Sequence, residues 1–243
     1  SERVYEFSSL PRAAFHGLPG LLADSLPDKF GNALIDAWLA TQGRTPESFS
    51  AVERLCYTGM RGMGALEFAP VLGPKARQAS KIEVEALVRL ASEVLTHRSD
   101  LLGHFHNAGT KRALRDILHV GTSAGGARAK AVIAWNRETN EVRSGQIAAG
   151  DGFDYWLLKF DGVAGNKDKE QEDPKGYGAI EFAYYRMAQT AGITMSECRL
   201  LEENGRRHFM TQRFDRHPGG AKLHMQSLGA LAHYDFHQPG AYS

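Results

Sequence analysis

The sequence predicts an α+β fold, a helical N-terminal region followed by an antiparallel sheet, and three observations carry that prediction. Through the first 115 residues the apolar positions recur three and four apart. Beyond them they fall into short β-branched and aromatic runs. Between those runs lie turn-forming clusters such as "RETNE" and "AAGDG". A division into residues 1–115 and 116–243 is therefore expected.

The helical part reads in order. "PDKFGNALIDAWLATQG" spaces Phe30, Ala33, Leu34, Ala37 and Trp38 along one helix face and stops at Gly43. "TPESFSAVERLCYTG" offers Thr45 as N-cap and Pro46 at the first helical position, with Phe49, Val52, Leu55 and Cys56 as its apolar face. "MRGMGALEFAPVLGP" is glycine-rich and irregular, with a short strand expected at "ALEFAP". "KIEVEALVRLASEVL" is a third amphipathic helix.

The sheet part follows. "AKAVIAWN", "VRSGQI" and "FDYWLLKF" read as an antiparallel meander. "GVAGNKDKEQEDPKG" is a polar loop. "GYGAIEFAYYRMAQTAG" is a helix with Ile180, Ala183, Tyr184 and Met187 on one face and Gly192 as its stop. "ECRLLEENGRRHFMTQRFDR" is a hairpin turning at Asn204-Gly205, and "AKLHMQSLGALAHYDF" reads as helical.

Bulk properties exclude several functions. Hydrophobic residues make up 42% of the chain and charged residues 23%, the proportions of a globular protein with a full core. A net charge of +1 gives no electrostatic reason to expect direct contact with nucleic acid or an anionic membrane. The two cysteines, Cys56 and Cys198, lack metal-ligand spacing and are expected to be small buried residues of a reducing compartment. "SERVYEF" lacks the apolar run of a signal peptide and nothing reaches membrane-spanning length, so a cytoplasmic location is expected. Of the ten histidines, His104 and His106 are two apart and His233 and His237 flank a helix end, which suits neither pair to hold a metal.

"HVGTSAGGARAKAVIAW", residues 119–135, is the stretch that points to chemistry, because glycines packed this closely let backbone approach phosphate. The nucleotide-triphosphatase loop requires a lysine straight after its last glycine, where Ala127 stands. The dinucleotide fingerprint requires a strand before the glycines and a helix after, the reverse of the order here. The kinase design survives: a glycine-rich turn between strands covers the ATP phosphates, a strand lysine pairs with them, and a helix glutamate fixes the lysine. Ser123, Gly125, Gly126 and Ala127 would form the turn. Lys159 ends an apolar strand, and Glu181 sits early on the next helix. Singly, each has a plainer reading: a snorkelling strand-end lysine, a solvated glutamate and an ordinary turn.

"GLLADSLPDKFGN", "GTSAGGARAKAVIAW", "WLLKF", "IEFAYYRMAQTAGI", "QRFDR" and "LHMQSLGALAHYDFHQPGAYS" together resemble, in order and over nearly the whole chain, the HipA family of serine/threonine kinase toxins. The resemblance implies a kinase-like ATP-binding lobe behind a helical N-terminal region, with ATP and Mg²⁺ as cofactors. It implies phosphorylation of a protein hydroxyl, on a translation component such as an aminoacyl-tRNA synthetase, and restraint by a HipB-like DNA-binding antitoxin. Ser123 falls on the loop serine whose autophosphorylation switches the family off, with Thr122 as the alternative acceptor. A phosphate there adds about −1.5 to −2 charges where ATP phosphates must sit. Lys159 matches the phosphate lysine. Gln212 and Phe214 match hinge positions that hold adenine, Phe214 being expected to pack in the core as well. Asp215 is suited to accept from ribose hydroxyls, or alternatively to pair with Arg213 or Arg216. Lys130 matches a loop lysine that supports the turn.

The resemblance is incomplete at the catalytic loop. Five residues after Asp235 stands Gly240, and no asparagine follows Asn204, so the aspartate-to-asparagine spacing of a kinase metal site is missing. The 243 residues by themselves are expected to be inactive and to bind ATP weakly. A non-catalytic nucleotide- or antitoxin-binding module and a small-molecule kinase are the alternative functions.

Overall fold

The computed structural model describes residues 9–73, 81–96, 117–118, 128–163 and 175–235. Its elements are α1 (Arg12–Phe15), α2 (Gly20–Ala23), α3 (Lys29–Thr41), α4 (Ala51–Thr58) and α5 (Val84–Thr96), then β1 (Lys130–Trp135), β2 (Val142–Ser144) and β3 (Asp154–Lys159). They continue with α6 (Tyr177–Thr190), β4 (Cys198–Glu203), β5 (Arg206–Gln212) and α7 (Leu228–Ala232). The fold is α+β, with the helices first.

Helix α3 starts where Asp28 accepts from the Gly31 N–H at 2.7 Å, and its Phe30, Ala33, Leu34 and Ala37 are buried as their spacing requires. The next helix begins later than Thr45. Pro46–Ser48 form a single 3₁₀ turn, Phe49 is extended, and α4 opens at Ser50. Ser50 and Glu53 satisfy each other's backbone N–H groups, a reciprocal cap that prevails over a lone threonine whose side chain caps nothing. Residues 65–70 are not a strand. The Phe68 N–H reaches the Gly59 carbonyl and the segment lies as a docked loop.

The five strands form one antiparallel sheet in the order β2-β1-β3-β5-β4. Asn204 (φ 48°) and Gly205 (φ 71°) make the two-residue turn of the last hairpin, a conformation that favours this dipeptide. Alternation gives the sheet two faces. Ala131, Ile133, Trp135, Trp156, Leu158 and Met210 face the main core, packing with Phe30, Leu34, Leu87, Val88 and Ala91 of α3 and α5. That core takes residues from both sides of position 115. Lys130, Val132, Leu157, Lys159, Phe209 and Thr211 lie on the other face, as the cross-strand register requires.

Helix α6 packs on β4 and β5 through Phe182 and Tyr185, against Cys198 and Phe209. The face carrying Ile180, Ala183, Tyr184 and Met187 is turned outward, with Tyr184 67% and Met187 63% exposed. Gly178 decides the rotation: a Cβ there would run into the Arg207 carbonyl, so the helix start sits directly on strand backbone. The last predicted helix is also shorter than its pattern, since only Leu228–Ala232 are helical, capped by Ser227. Residues 221–226 are not helical: Met225 lies against Gly64, and the Leu223 N–H bonds the Asp215 carbonyl. Among the described residues no helix is long and apolar enough to cross a membrane.

Candidate functional site: a lysine–glutamate pair between strand and helix

Strand β3 carries Lys159 to its end, and α6 returns alongside β5 so that Glu181 reaches back to it. Lys159 Nζ lies 2.5 Å from Glu181 Oε2 and 5.7 Å from the centre of the Phe209 ring. Both side chains remain partly open to solvent. Arg128 approaches from the other side of the carboxylate, its Nη1 3.7 Å from Glu181 Oε1 and its guanidinium 3.8 Å over the Tyr177 ring. One glutamate thus gathers a cation from β3 and another from just before β1.

Lys130 is the direct cross-strand partner of Lys159. It is buried, and its ammonium lies 2.9 Å from Asp28 Oδ2, the carboxylate whose other oxygen caps α3. The N-terminal helices therefore hold the first residue of β1. Along the same face, one step further on each strand, Val132 and Leu157 are partners, and Thr211 stands opposite Leu157. The lysine pair gives way there to a short apolar strip leading to the segment after β5.

In that segment the core packing expected of Phe214 is the departure. The Gln212 N–H is used by the Glu197 carbonyl and the Arg213 N–H by the Tyr155 carbonyl. Phe214 is 65% exposed, so it does not pack in the core. Asp215 is fully buried, with Arg213 Nε 2.9 Å from its Oδ1. Its Oδ2 receives Arg213 Nη2 at 2.7 Å, Arg216 Nη1 at 2.8 Å and the Gly64 N–H at 2.7 Å. Of the two roles weighed for it, the geometry gives the ion pair and leaves no oxygen facing outward for a ribose. Burial by itself would raise this carboxyl, but the Arg213 hydrogen bonds and the two guanidinium charges hold it below the ordinary aspartate value.

Thr122, Ser123, Gly125, Gly126 and Ala127 lie outside the described residues, as do His104, His106 and His237. The described residues ahead of them, Ile117 and Leu118, are helical rather than extended. His233 is structural: its Nε2 accepts from the Gly20 N–H at 3.2 Å and its ring meets Phe15 edge-on. Cys198 is buried, and burial pushes its thiol up, whereas Cys56 is only half-buried. Among the described residues no group of three His, Cys, Asp or Glu side chains could hold a metal ion. Sequence reading missed Asp28, Arg128 and Asp161, whose partners lie far along the chain; the position of Asp28 just before a helical run was the one available signal.

Comparisons with known proteins bear on the identity of this lobe. Residues 122–243 match the HipA-like C-terminal domain and residues 3–69 the HipA N-terminal domain. No curated protein matches. Among solved structures, one from Shewanella oneidensis MR-1, described as its toxin–antitoxin system HipA, HipB and operator DNA complex, is 19% identical with a TM-score of 0.46. The match covers 85% of this chain and 41% of that one, so this chain spans less than half of that chain's length. With one domain model covering half of the sequence and the second preceding it in the same order, the chain belongs to the HipA family.

Proposed function

We propose that this chain forms the ATP-gripping part of a HipA-like serine/threonine protein kinase in a toxin–antitoxin module. The observation that carries the reading is the Lys159–Glu181 pair at 2.5 Å, a strand lysine fixed by a helix glutamate, as phosphoryl-transfer enzymes of the kinase type require. The fit to a nucleotide extends past the pair. Lys159 offers a partly exposed cation for phosphate oxygens, and on the same face the half-buried Leu157 is the apolar side chain proposed to meet the base, backed by the buried Val132. Gln212 and Phe214 follow as the hinge, where Phe214 is open to contact.

In this reading the chain's own residues bind and orient. Glu181 holds the Lys159 ammonium in one place, which lowers the ordering cost when phosphate arrives. Asp28 does the same for Lys130. The Asp215 cluster keeps the hinge rigid without touching the nucleotide. ATP supplies the transferable phosphoryl group, and Mg²⁺ is assigned no ligand among the described residues. A protein hydroxyl of the translation machinery is the proposed acceptor, a HipB-like antitoxin the proposed partner, and Ser123 (or Thr122) the proposed site of self-inactivation. Family membership supports all three.

Calorimetric titration of the 243-residue chain with ATP tests the reading. Lys159→Ala is expected to weaken binding at least tenfold and Glu181→Gln by a smaller factor. Unchanged affinity in Lys159→Ala would remove the lysine from the nucleotide site.

A further inference from the structure

Two residues beyond Lys159 stands Asp161, a carboxylate only 3% exposed that the nucleotide reading does not use. Its Oδ1 accepts from the N–H groups of Gly176 at 2.8 Å and Gly178 at 3.5 Å, the opening of α6. Its Oδ2 takes the Arg207 N–H of β5 at 3.4 Å. Its own N–H donates to His208 Nδ1 at 2.9 Å. Its carbonyl accepts from Arg206 Nη1 at 2.9 Å, and the same nitrogen reaches the Gly162 carbonyl at 2.8 Å. One residue therefore ties the end of β3, the start of α6 and the start of β5 together.

The arrangement matters because α6 cannot cap itself. Its N-cap is Gly176, at φ 114°, with no side chain to offer. Asp161 supplies both the acceptor and a negative charge favourable at a helix N-terminus. Gly178 then seats the first turn on the Arg207 backbone. Cap and seat together fix how far along its axis the helix lies and which way it is turned. Glu181 follows within the next turn. A slip of one residue moves a helix by about 1.5 Å and turns it by about 100°, enough to take Glu181 out of reach of Lys159.

We propose that Asp161 is a positioning residue for the Lys159–Glu181 pair, acting through its grip on the first turn of α6. Its bearing on nucleotide binding rests on the function proposed above, but the pairing itself does not.

The test reads the pair directly. In ¹⁵N NMR spectra of the whole chain, the Lys159 ammonium should exchange its protons slowly, because the carboxylate holds them. Asp161→Ala should speed that exchange at least tenfold, and Asp161→Asn, which keeps an acceptor without the charge, several-fold. Ser50→Ala is the control: it removes the cap of α4 and lowers the melting temperature while leaving the Lys159 signal unchanged. Wild-type exchange in folded Asp161→Ala overturns the proposal. Where that variant fails to fold, wild-type exchange in Asp161→Asn overturns it equally. ATP titration separates the two readings. If Lys159→Ala and Glu181→Gln leave affinity unchanged, the nucleotide function fails while the exchange result still decides the role of Asp161. If both weaken binding and folded Asp161→Ala does not, the positioning role is wrong.

Discussion

His208 shows how one buried side chain reports on its surroundings. Burial pushes its pKa down from 6.5 to about 4; the Asp161 charge opposes the shift and the Arg206 charge adds to it. The folded protein therefore refuses a proton that the unfolded chain accepts near pH 6.5. Stability from this group is complete above that pH and is lost as the pH falls from 6.5 toward 4, with a slope approaching 1.4 kcal/mol per pH unit. Urea unfolding at a series of pH values should show this decline, and His208→Asn should flatten it. Nothing in the residue type announced the effect, since two arginines precede this histidine and only the sheet buries it. Lys159 and Glu181 are the opposite case. A single cation closing an apolar strand, followed by an early helix glutamate, named both candidates from the sequence, and the fold brings them to 2.5 Å.

Helix α6 buries a different face from the one its apolar spacing marks. Its existence followed from the spacing of its apolar residues, yet Ile180, Tyr184 and Met187 lie outward. Spacing reports that a face is apolar; it does not report what is available to cover it. The buried side was set by backbone approach at Gly178. Gly178→Ala tests this: alanine gains about 1 kcal/mol of helix propensity, but its Cβ would meet the Arg207 carbonyl. Net destabilisation of about 1–3 kcal/mol is expected, measurable by thermal melting. Helix α4 teaches the same point more gently. Thr45 was the cap expected from the sequence, and the glutamate three residues after Ser50 places the helix start at Ser50 instead.

Across the whole molecule, the polar cluster at Asp215 joins distant parts of the chain. Arg216 reaches the carbonyls of Gly62 and Gly64, Lys222 bonds the Met60 carbonyl and Glu67, and Asp215 receives the Gly64 N–H. The glycine-rich loop after α4 is thereby stitched to the segment after β5. Breaking a buried charge cluster from one side leaves guanidinium groups uncompensated, which costs about 3–5 kcal/mol. Asp215→Asn should lower the urea midpoint accordingly, and a loss under 1 kcal/mol would show that the cluster is not what holds the loop. The irregular loop at 60–73 was recognised in the sequence as glycine-rich, but its docking partner lies some 150 residues away and no local pattern encodes it.

Apart from the strand expected at "ALEFAP", local patterns settle the order of α3 to α7 and of the five strands, the hairpin at Asn204-Gly205, the family, and the lysine and glutamate of the candidate site. Those features rest on local physics: periodicity, turn chemistry and motif spacing act within a few residues. Packing between distant segments settles which face of α6 is buried, that Asp215 is ion-paired, and that Asp28 holds Lys130 and Asp161 holds the start of α6. Each of these depends on a carboxylate or a backbone group meeting partners brought near by the sheet. Such meetings are fixed by long-range packing, and the residue types involved read the same on an open surface.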